Sequence, residues 1–468
     1  MALEMAENEF WNGGGTGLSR KVALVALGCP KNDVDSEIML GLLQARGYEP
    51  VGEVAAADVV IVNTCAFIRS AQEEAISAIL GAAEAQPADK PHHLVVAGCM
   101  AERYQEELIR QIPEVDAVIG TGSIDRTADI VDGLFEGTLT ERVFCRFPDD
   151  VAYLESHRVL SGTRPFQYLK IAEGCDNRCT YCIIPFLRGP FRSRSMANIL
   201  EEAKALVDAG AKELILVAQD VTRYGMDLEG TPQLVPLIRA LSALPGLWGI
   251  RLLYCYPELI DDALITELRE NPKLLPYLDL PIQHIADSVL RRMGRRGDAA
   301  LVKNLLARLR AEVPGIVLRT SLITGFPGET VEEFQTLRAF LETAPFEHVG
   351  VFDYSREDGT PAGKMKGQVH PRTRVKRKNE LLDIQSRQVA AWHASRVGTT
   401  CDTIIEDVSD DGLFYLGRTY AEAPDIDPVV YVTSEQPLAI GTVVPVRFLC
   451  VDGYDIIGQA LPNEPEEL

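Results

Sequence analysis

No stretch of this 468-residue chain approaches the ~20 consecutive apolar residues that a membrane-spanning helix needs. Met1 to Gly17 is acidic and then glycine-rich, without the basic segment and apolar run of a secretory leader. Positive charge is scarce: 46 Lys and Arg stand against 68 Asp and Glu, for a formal net charge of −22. Phosphate contacts need clustered cations, so a generic nucleic-acid binder is disfavoured and a basic protein partner favoured. Asn12-Gly13-Gly14-Gly15-Thr16-Gly17 has no Gly-Lys-Ser/Thr after it and no strand before it, which excludes a P-loop. The seven histidines form no metal-type pair; His92 and His93 are adjacent and would point to opposite faces of a strand. These absences predict a cytoplasmic protein with no membrane contact. In that compartment its ten cysteines read as thiols or metal ligands.

Three of those cysteines share one short loop: Glu173-Gly174-Cys175-Asp176-Asn177-Arg178-Cys179-Thr180-Tyr181-Cys182. A strand-like run, Phe166 to Ile171, leads into it. No fourth Cys or His is close by, whereas a structural zinc site wants four closed ligands. An iron–sulfur cube on three thiolates leaves one iron with an open position. Unrelated core cysteines would not sit at this spacing on a polar Asp-Asn-Arg loop. The spacing resembles that of radical S-adenosylmethionine (SAM) enzymes, whose open iron chelates SAM.

Upstream, strand-like and helix-like runs alternate. Strands are expected at Lys21–Leu27, Ala57–Val62, His93–Ala97 and Val115–Ile119. Helices are expected at Asp33–Ala45, Ser70–Ala85, Ala101–Gln111 and Ile124–Phe135. This order predicts an open parallel α/β sheet over residues 21–140, after a disordered lead over 1–20. Cys29, Cys65 and Cys99 each fall just past the carboxyl end of a strand, the edge where such sheets bind ligands. Gly28 and Gly98 precede two of them and allow close backbone approach. The following helices could aim their N-terminal dipoles at thiolates. The reading is a second three-ligand cluster. Two tri-cysteine sets in this order resemble the methylthiotransferase family of radical SAM enzymes.

Residues 161–390 repeat strand then helix six times. Strands are expected at Phe166–Ile171, Glu213–Ala218, Gly249–Cys255, Tyr277–Pro281, Val317–Ile323 and Val349–Tyr354. A partial (β/α)6 barrel follows, as the resemblance also implies, with chemistry at the carboxyl ends of the strands. Gln219 with Asp220, Gln283 with His284, Thr320, and Ser355 with Arg356 gather there. By resemblance and position, Gln219, Gln283 and Thr320 are the candidate SAM contacts; no catalytic side chain is assigned. Gly325-Phe326-Pro327-Gly328-Glu329-Thr330 reads equally as a cofactor loop or as a helix start, with Thr330 and Glu333 forming a capping box. Arg188, Arg192 and Arg194 either balance cluster charge, hold a carboxylate, or form a solvated turn. Arg291, Arg292, Arg295 and Arg296, and the cations from Arg372 to Lys378, read as solvated faces. Cys145, Cys255, Cys401 and Cys450 read as core or incidental.

From 398 to 463 the pattern turns to five short strands, near 401–406, 413–417, 429–432, 443–451 and 454–460. This suggests a small antiparallel, OB-like barrel. Leu416-Gly417-Arg418-Thr419-Tyr420 resembles the TRAM domain that ends this family. Such domains are associated with RNA, but from Gly398 onward fourteen acidic residues face two basic ones, Arg418 and Arg447. That balance points to a basic protein.

The family has a transfer-RNA branch and a ribosomal-protein branch. Leu27-Gly28-Cys29-Pro30-Lys31-Asn32 with Val34-Asp35-Ser36-Glu37, Leu278-Asp279-Leu280-Pro281-Ile282-Gln283-His284, and Tyr354-Ser355-Arg356-Glu357-Asp358-Gly359-Thr360 resemble the second. The resemblance implies two 4Fe-4S clusters, SAM, and methylthiolation at the β-carbon of an aspartate in the twelfth small-subunit ribosomal protein, free or in the assembled ribosome. It implies a reductant such as flavodoxin or ferredoxin. The alternatives are methylthiolation of a transfer-RNA adenosine and, in another class, a non-enzymatic iron–sulfur electron carrier or ribosome-binding factor.

Overall fold

The computed structural model describes residues 19–85, 92–160, 162, 164–344 and 346–462. Most of the expected lead lies outside the described residues. The chain forms two units. One comprises the chain through Thr163 together with Ala172–Asn177 and Cys182–Arg194; the other comprises Arg164–Ile171, Arg178–Tyr181 and Ser195 onward.

In the first unit, six strands form one parallel sheet: β1 (Lys21–Ala26), β2 (Glu49–Pro50), β3 (Val59–Thr64), β4 (His93–Gly98), β5 (Ala117–Ile119) and β6 (Val143–Phe144), in the order β2-β1-β3-β4-β5-β6. β3 is buried at every position, and its first four residues, Val59 to Val62, are a continuous apolar run. Helices α1 (Pro30–Gln44), α2 (Arg69–Ala85), α3 (Cys99–Tyr104), α4 (Glu106–Gln111) and α5 (Thr127–Glu136) connect or follow the strands. Two differences from the sequence expectation stand out. The helix expected over Ala101–Gln111 breaks at Gln105, whose φ of 44° re-aims the chain. β2 and β6 are two residues long, too short for a periodic signal.

The second unit holds six parallel strands in the order β14-β13-β12-β11-β10-β7. β7 is Phe166–Lys170; β8 (Ala172–Glu173) and β9 (Arg192–Ser193) form a two-stranded pair in the first unit, where α6 (Ile184–Arg188) also lies. β10 (Glu213–Val217), β11 (Gly249–Leu252), β12 (Leu274–Asp279), β13 (Val317–Thr324) and β14 (His348–Asp353) alternate with α7 (Met196–Asp208), α8 (Met226–Glu229), α9 (Leu234–Ser242), α10 (Asp262–Glu270), α11 (Asp287–Met293), α12 (Ala299–Glu312) and α13 (Val331–Thr343). The sheet does not close between β7 and β14, as a partial barrel requires. Local chemistry marks the helix starts. Asp261 and Asp298 cap α10 and α12, and Thr330 and Glu333 form the expected reciprocal capping box on α13.

Helix α14 (Pro371–Arg396) leads to a closed five-stranded barrel, β15 (Thr400–Val408), β16 (Tyr415–Arg418), β17 (Val430–Thr433), β18 (Val443–Asp452) and β19 (Asp455–Ala460), ordered β15-β16-β17-β19-β18. One pair, β17 with β19, is parallel; the others are antiparallel. Ile405, Val430, Val432, Val446, Phe448 and Ile456 fill its core.

The barrel is joined to the six-stranded sheet by buried charge. Arg418 donates to Glu213 (2.7 Å) and Glu406 (2.5 Å), and Arg251 donates to Glu213 (2.6 Å) and to the carbonyls of Thr419 and Tyr420. Tyr277 donates to Asp427 at 2.6 Å, and Arg319 lies 3.4 Å from the same carboxylate. Arg396 pairs with Glu422 at 2.5 Å. Burial opposes ionisation of Glu422, but Arg396 and Thr419 outweigh it and hold the carboxyl at about 2. Three of the tail's acids, Glu406, Glu422 and Asp427, are thus matched by arginines, so the excess counted from sequence overstates the acidity presented to a partner.

Candidate functional site

The first cysteine set occupies three neighbouring strands, β1, β3 and β4. Cys29 immediately precedes α1, Cys65 follows β3 directly, and Cys99 opens α3. Two of the three thus stand at helix N-termini, as the alternation of elements suggested; α2 begins only at Arg69. The turns pack without slack. A Cβ on Gly28, whose φ is +102°, would lie 2.6 Å from Cys65 Cβ and 3.2 Å from its Sγ. A Cβ on Gly98 would lie 2.2 Å from Asn63 Oδ1. Side chains stitch the turns together. Asn32 Nδ2 donates to the carbonyls of Leu27 (2.8 Å) and Thr64 (3.0 Å), Asn63 Nδ2 donates to the Asn32 carbonyl and Ser36 Oγ (both 2.9 Å), and Thr64 Oγ1 donates to the Ala97 carbonyl (2.5 Å).

The three thiols feel one another. Burial pushes Cys65 up to about 12, with Cys99 and Cys29 adding to the rise. Burial also raises Cys99; Arg188 opposes this and Cys29 reinforces it. Clustered thiols, two of which burial holds protonated when nothing is bound, are a donor set suited to a cation or a cationic cluster, which deprotonates its thiol ligands on binding. A cube takes each thiolate on a different iron, so its ligands stand further apart than those of one ion. Among the described residues, no three Cys, His, Asp or Glu side chains surround a point as a single metal ion would require. Three free cysteines gathered on neighbouring strand ends are a three-donor set of the kind that a cube with one open iron takes.

Arg188 lies beside these thiols, 2% exposed. Arg192 and Arg194 are also buried, so a solvated basic turn is excluded for all three. Arg192 donates to the carbonyls of Pro148 (2.5 Å) and Pro190 (2.9 Å).

Of the second set, Cys175 and Cys182 belong to the first unit and Cys179 to the second. Gly174, with φ +79°, lets the loop start against its neighbour, since a Cβ there would lie 1.9 Å from the Pro190 carbonyl oxygen. The Cys175 amide donates to the Gly189 carbonyl at 3.1 Å, and the Ile184 amide donates to Cys182 Sγ at 3.4 Å. In the second unit, Cys179 Sγ lies 4.0 Å from Arg295 Nη1 and 3.9 Å from the Tyr256 hydroxyl. Arg295 stacks over the Tyr256 ring at 4.3 Å. Thr180 anchors this part of the loop, its amide donating to the Met293 carbonyl and its hydroxyl to the Arg292 carbonyl, both at 2.8 Å.

Three family models match: uncharacterized protein family UPF0004 over residues 21–120, the radical SAM superfamily over 169–341, and the TRAM domain over 397–461. The chain is 49% identical over 449 residues to a ribosomal protein uS12 methylthiotransferase RimO from Acetivibrio thermocellus, covering 95% of this chain and 99% of the relative. A protein of the same name from Trichlorobacter lovleyi is 47% identical over 94% of this chain and 98% of that one. The chain belongs to the RimO family. In fold alone it is similar to a radical SAM methyltransferase, TsrM from Kitasatospora setae, with a TM-score of 0.56 at 15% identity over 74% of each chain.

In this RimO-family chain the candidate SAM contacts are distributed unevenly. Gln219 is half-buried just past β10. Gln283 is half-buried after β12, held at a φ of +69°, a region where a non-glycine residue stores strain. Thr320 lies within β13, not past its end, and its hydroxyl is engaged: it donates to the Leu280 carbonyl at 2.6 Å and accepts from the Ile282 amide at 3.3 Å. It shapes the Leu280–Gln283 turn. Ser355 is likewise engaged, donating to Glu357 at 2.6 Å, while Arg356 donates to the Gly363 carbonyl. His284 is fully buried; burial pulls it down to about 3, so it is neutral, with Nδ1 accepting from the Ala286 amide.

The solvated reading of the later arginines is corrected at three positions. Arg295 is buried against Tyr256, Arg374 donates to the Tyr354 carbonyl, and Arg377 pairs with Glu329 at 2.8 Å. Arg374 also backs Gly325, where a Cβ would lie 2.3 Å from its Cγ. Residue counts in a charged run carry no burial information. The periodicity of α14 could not show that its first turns face the Gly325–Glu329 loop. Asn32, Asn63 and Thr64 went unread in the sequence as turn-binding residues, although each stands within three residues of a cysteine.

Proposed function

We propose that this chain transfers a methylthio group to the β-carbon of an aspartate in ribosomal protein uS12, using SAM and two 4Fe-4S clusters. The observation that carries this reading is the gathering of Cys29, Cys65 and Cys99 on three adjacent strand ends, in a chain that also bears the radical SAM loop and is 49% identical to a named uS12 methylthiotransferase. In this reading Cys29, Cys65 and Cys99 hold one cluster and Cys175, Cys179 and Cys182 the other, each leaving one iron without a protein ligand. When bound, the clusters supply one-electron reduction of SAM and a seat for the sulfur that is transferred.

The chain's own residues supply placement. Asn32, Asn63 and Thr64 fix the three cysteine turns, with Cys99 buried and Cys29 and Cys65 half-buried. Gln219 and Gln283 contact SAM, with Thr320 holding the turn that presents Gln283. Gly28→Ala is expected to push Cys65 away and to lower the iron bound after anaerobic reconstitution, with the second cluster's share retained. Full iron loading in this variant would contradict the tight approach.

The substrate is the uS12 protein, free or in the assembled subunit, and the electron comes from a reductant such as flavodoxin or ferredoxin. A ribosomal substrate sets the reaction in the cytoplasm; no described helix is long and apolar enough to cross a membrane. A protein substrate is favoured over transfer RNA because Arg418, one of two cations after Gly398, is buried against carboxylates and cannot reach a phosphate. Reconstituted enzyme with SAM and dithionite, offered uS12 and transfer RNA together, is expected to add one methylthio group to uS12 alone. Modification of the RNA with uS12 untouched would move the chain to the other branch.

A further inference from the structure

Arg188 is fully buried in the first unit and held from three sides. Its Nη1 donates to Asp35 Oδ2 at 2.9 Å and Glu173 Oε2 at 2.8 Å, and its Nη2 donates to Asn32 Oδ1 at 2.5 Å. The Tyr153 hydroxyl lies 2.8 Å from Glu173 Oε2 and 3.2 Å from Asp35 Oδ1, bracing both carboxylates. Burial works against the guanidinium's charge, yet Cys99, Glu173, Asp35 and Cys29 together hold it well above its ordinary range. The same cation opposes the rise at Cys99 and Cys65. One permanent cation and two carboxylates, all buried, thus sit beside three thiols, of which Cys99 is buried and Cys29 and Cys65 are partly exposed.

A pure structural tie would not need this arrangement. Burying an ion pair recovers little over apolar packing, and the acceptors here fix the orientation of a group that cannot lose its proton. Reduction potentials of iron–sulfur centres follow net charge and hydrogen bonding around the sulfurs. Taking Cys29, Cys65 and Cys99 as cluster ligands, as proposed above, we infer that Arg188 is a positioning residue that sets the reduction potential of that cluster. Its fixed positive charge favours the form carrying one more electron, and Asp35 and Glu173 offset part of that bias.

The test uses the full chain with Cys175→Ala, Cys179→Ala and Cys182→Ala, so that iron reports the first site alone. The midpoint potential is read by EPR-monitored titration with dithionite, together with iron per chain. Adding Arg188→Met is expected to move the midpoint to a more negative value. Adding Asp35→Asn is expected to move it to a more positive one. Arg188→Lys, which keeps the charge, is expected to shift it less than Met. Opposite signs from the two charge changes, with about four irons retained, are what a merely structural role would not produce. Shifts of the same sign, or no shift with iron retained, overturn the proposal. If Arg188→Met loses its iron, Asp35→Asn decides by its sign, and an unmoved midpoint there overturns it. A parent variant holding no iron would instead overturn the ligand assignment beneath it.

Discussion

Replacing Cys29, Cys65 and Cys99 together with alanine is expected to abolish methylthio transfer to uS12 while SAM cleavage persists. The three thiols stand on β1, β3 and β4 turns, and Cys175, Cys179 and Cys182 stand on a separate loop after β8. Alanine removes the donors of the first set without touching the side chains around Cys179, where Arg295 and Tyr256 remain. Release of 5′-deoxyadenosine under dithionite should continue, and the mass of uS12 should stay that of the unmodified protein. Transfer that survives the triple substitution would take the sulfur site away from these cysteines. Loss of both activities would mean that the first unit no longer folds, which far-ultraviolet circular dichroism distinguishes.

The second large effect is on stability. Arg418→Ala is expected to cost about 3–5 kcal/mol, the range for removing one partner of a buried ion pair. Arg418 is 1% exposed; its loss strips Glu406 of its arginine and leaves Glu213 to Arg251 alone. The Glu422 carbonyl also loses its donor. Denaturant unfolding should show a lower midpoint with the slope unchanged, the signature of lost native stability. A change below about 1 kcal/mol, the level of a surface pair, would mean that the barrel is not tied to the sheet through this arginine. The result bears on function. A TRAM barrel whose motif arginine is a buried strut has that residue unavailable for a nucleic-acid phosphate.

Much of this architecture was legible because parallel strands buried on both faces print as apolar runs: Val59–Val62 and Leu94–Ala97 stand out, and Cys65 and Cys99 come within three residues of their ends, although β3 runs on through the polar Asn63 and Thr64, two residues beyond the expected Ala57–Val62. The cysteine spacings carried the candidate site for the same reason, since loop geometry is local in sequence. What could not be read is what depends on distant partners. Val34-Asp35-Ser36-Glu37 showed only as a motif, yet Asp35 meets Arg188 and Tyr153, Ser36 meets Asn63, and Glu37 meets Arg158. Those residues lie 27 to 153 positions away, and no helical periodicity encodes them. The charge of the tail misled in the same manner. A composition count treats Glu422 and Asp427 as surface acids, whereas burial against Arg396 and Arg319 removes them from it. Thr320 reads as a strand-end polar group from position alone; its hydroxyl serves the neighbouring turn.

The central claim is that two independent three-cysteine sites each hold a cluster. Iron and sulfide per chain, measured after anaerobic reconstitution of the wild type, of the Cys29/Cys65/Cys99 alanine variant and of the Cys175/Cys179/Cys182 alanine variant, test it most directly. The account predicts about eight irons in the wild type and about four in each variant, as two cubane sites require. About four irons in the wild type, falling to none when only the second set is replaced and unchanged when only the first is, would contradict it.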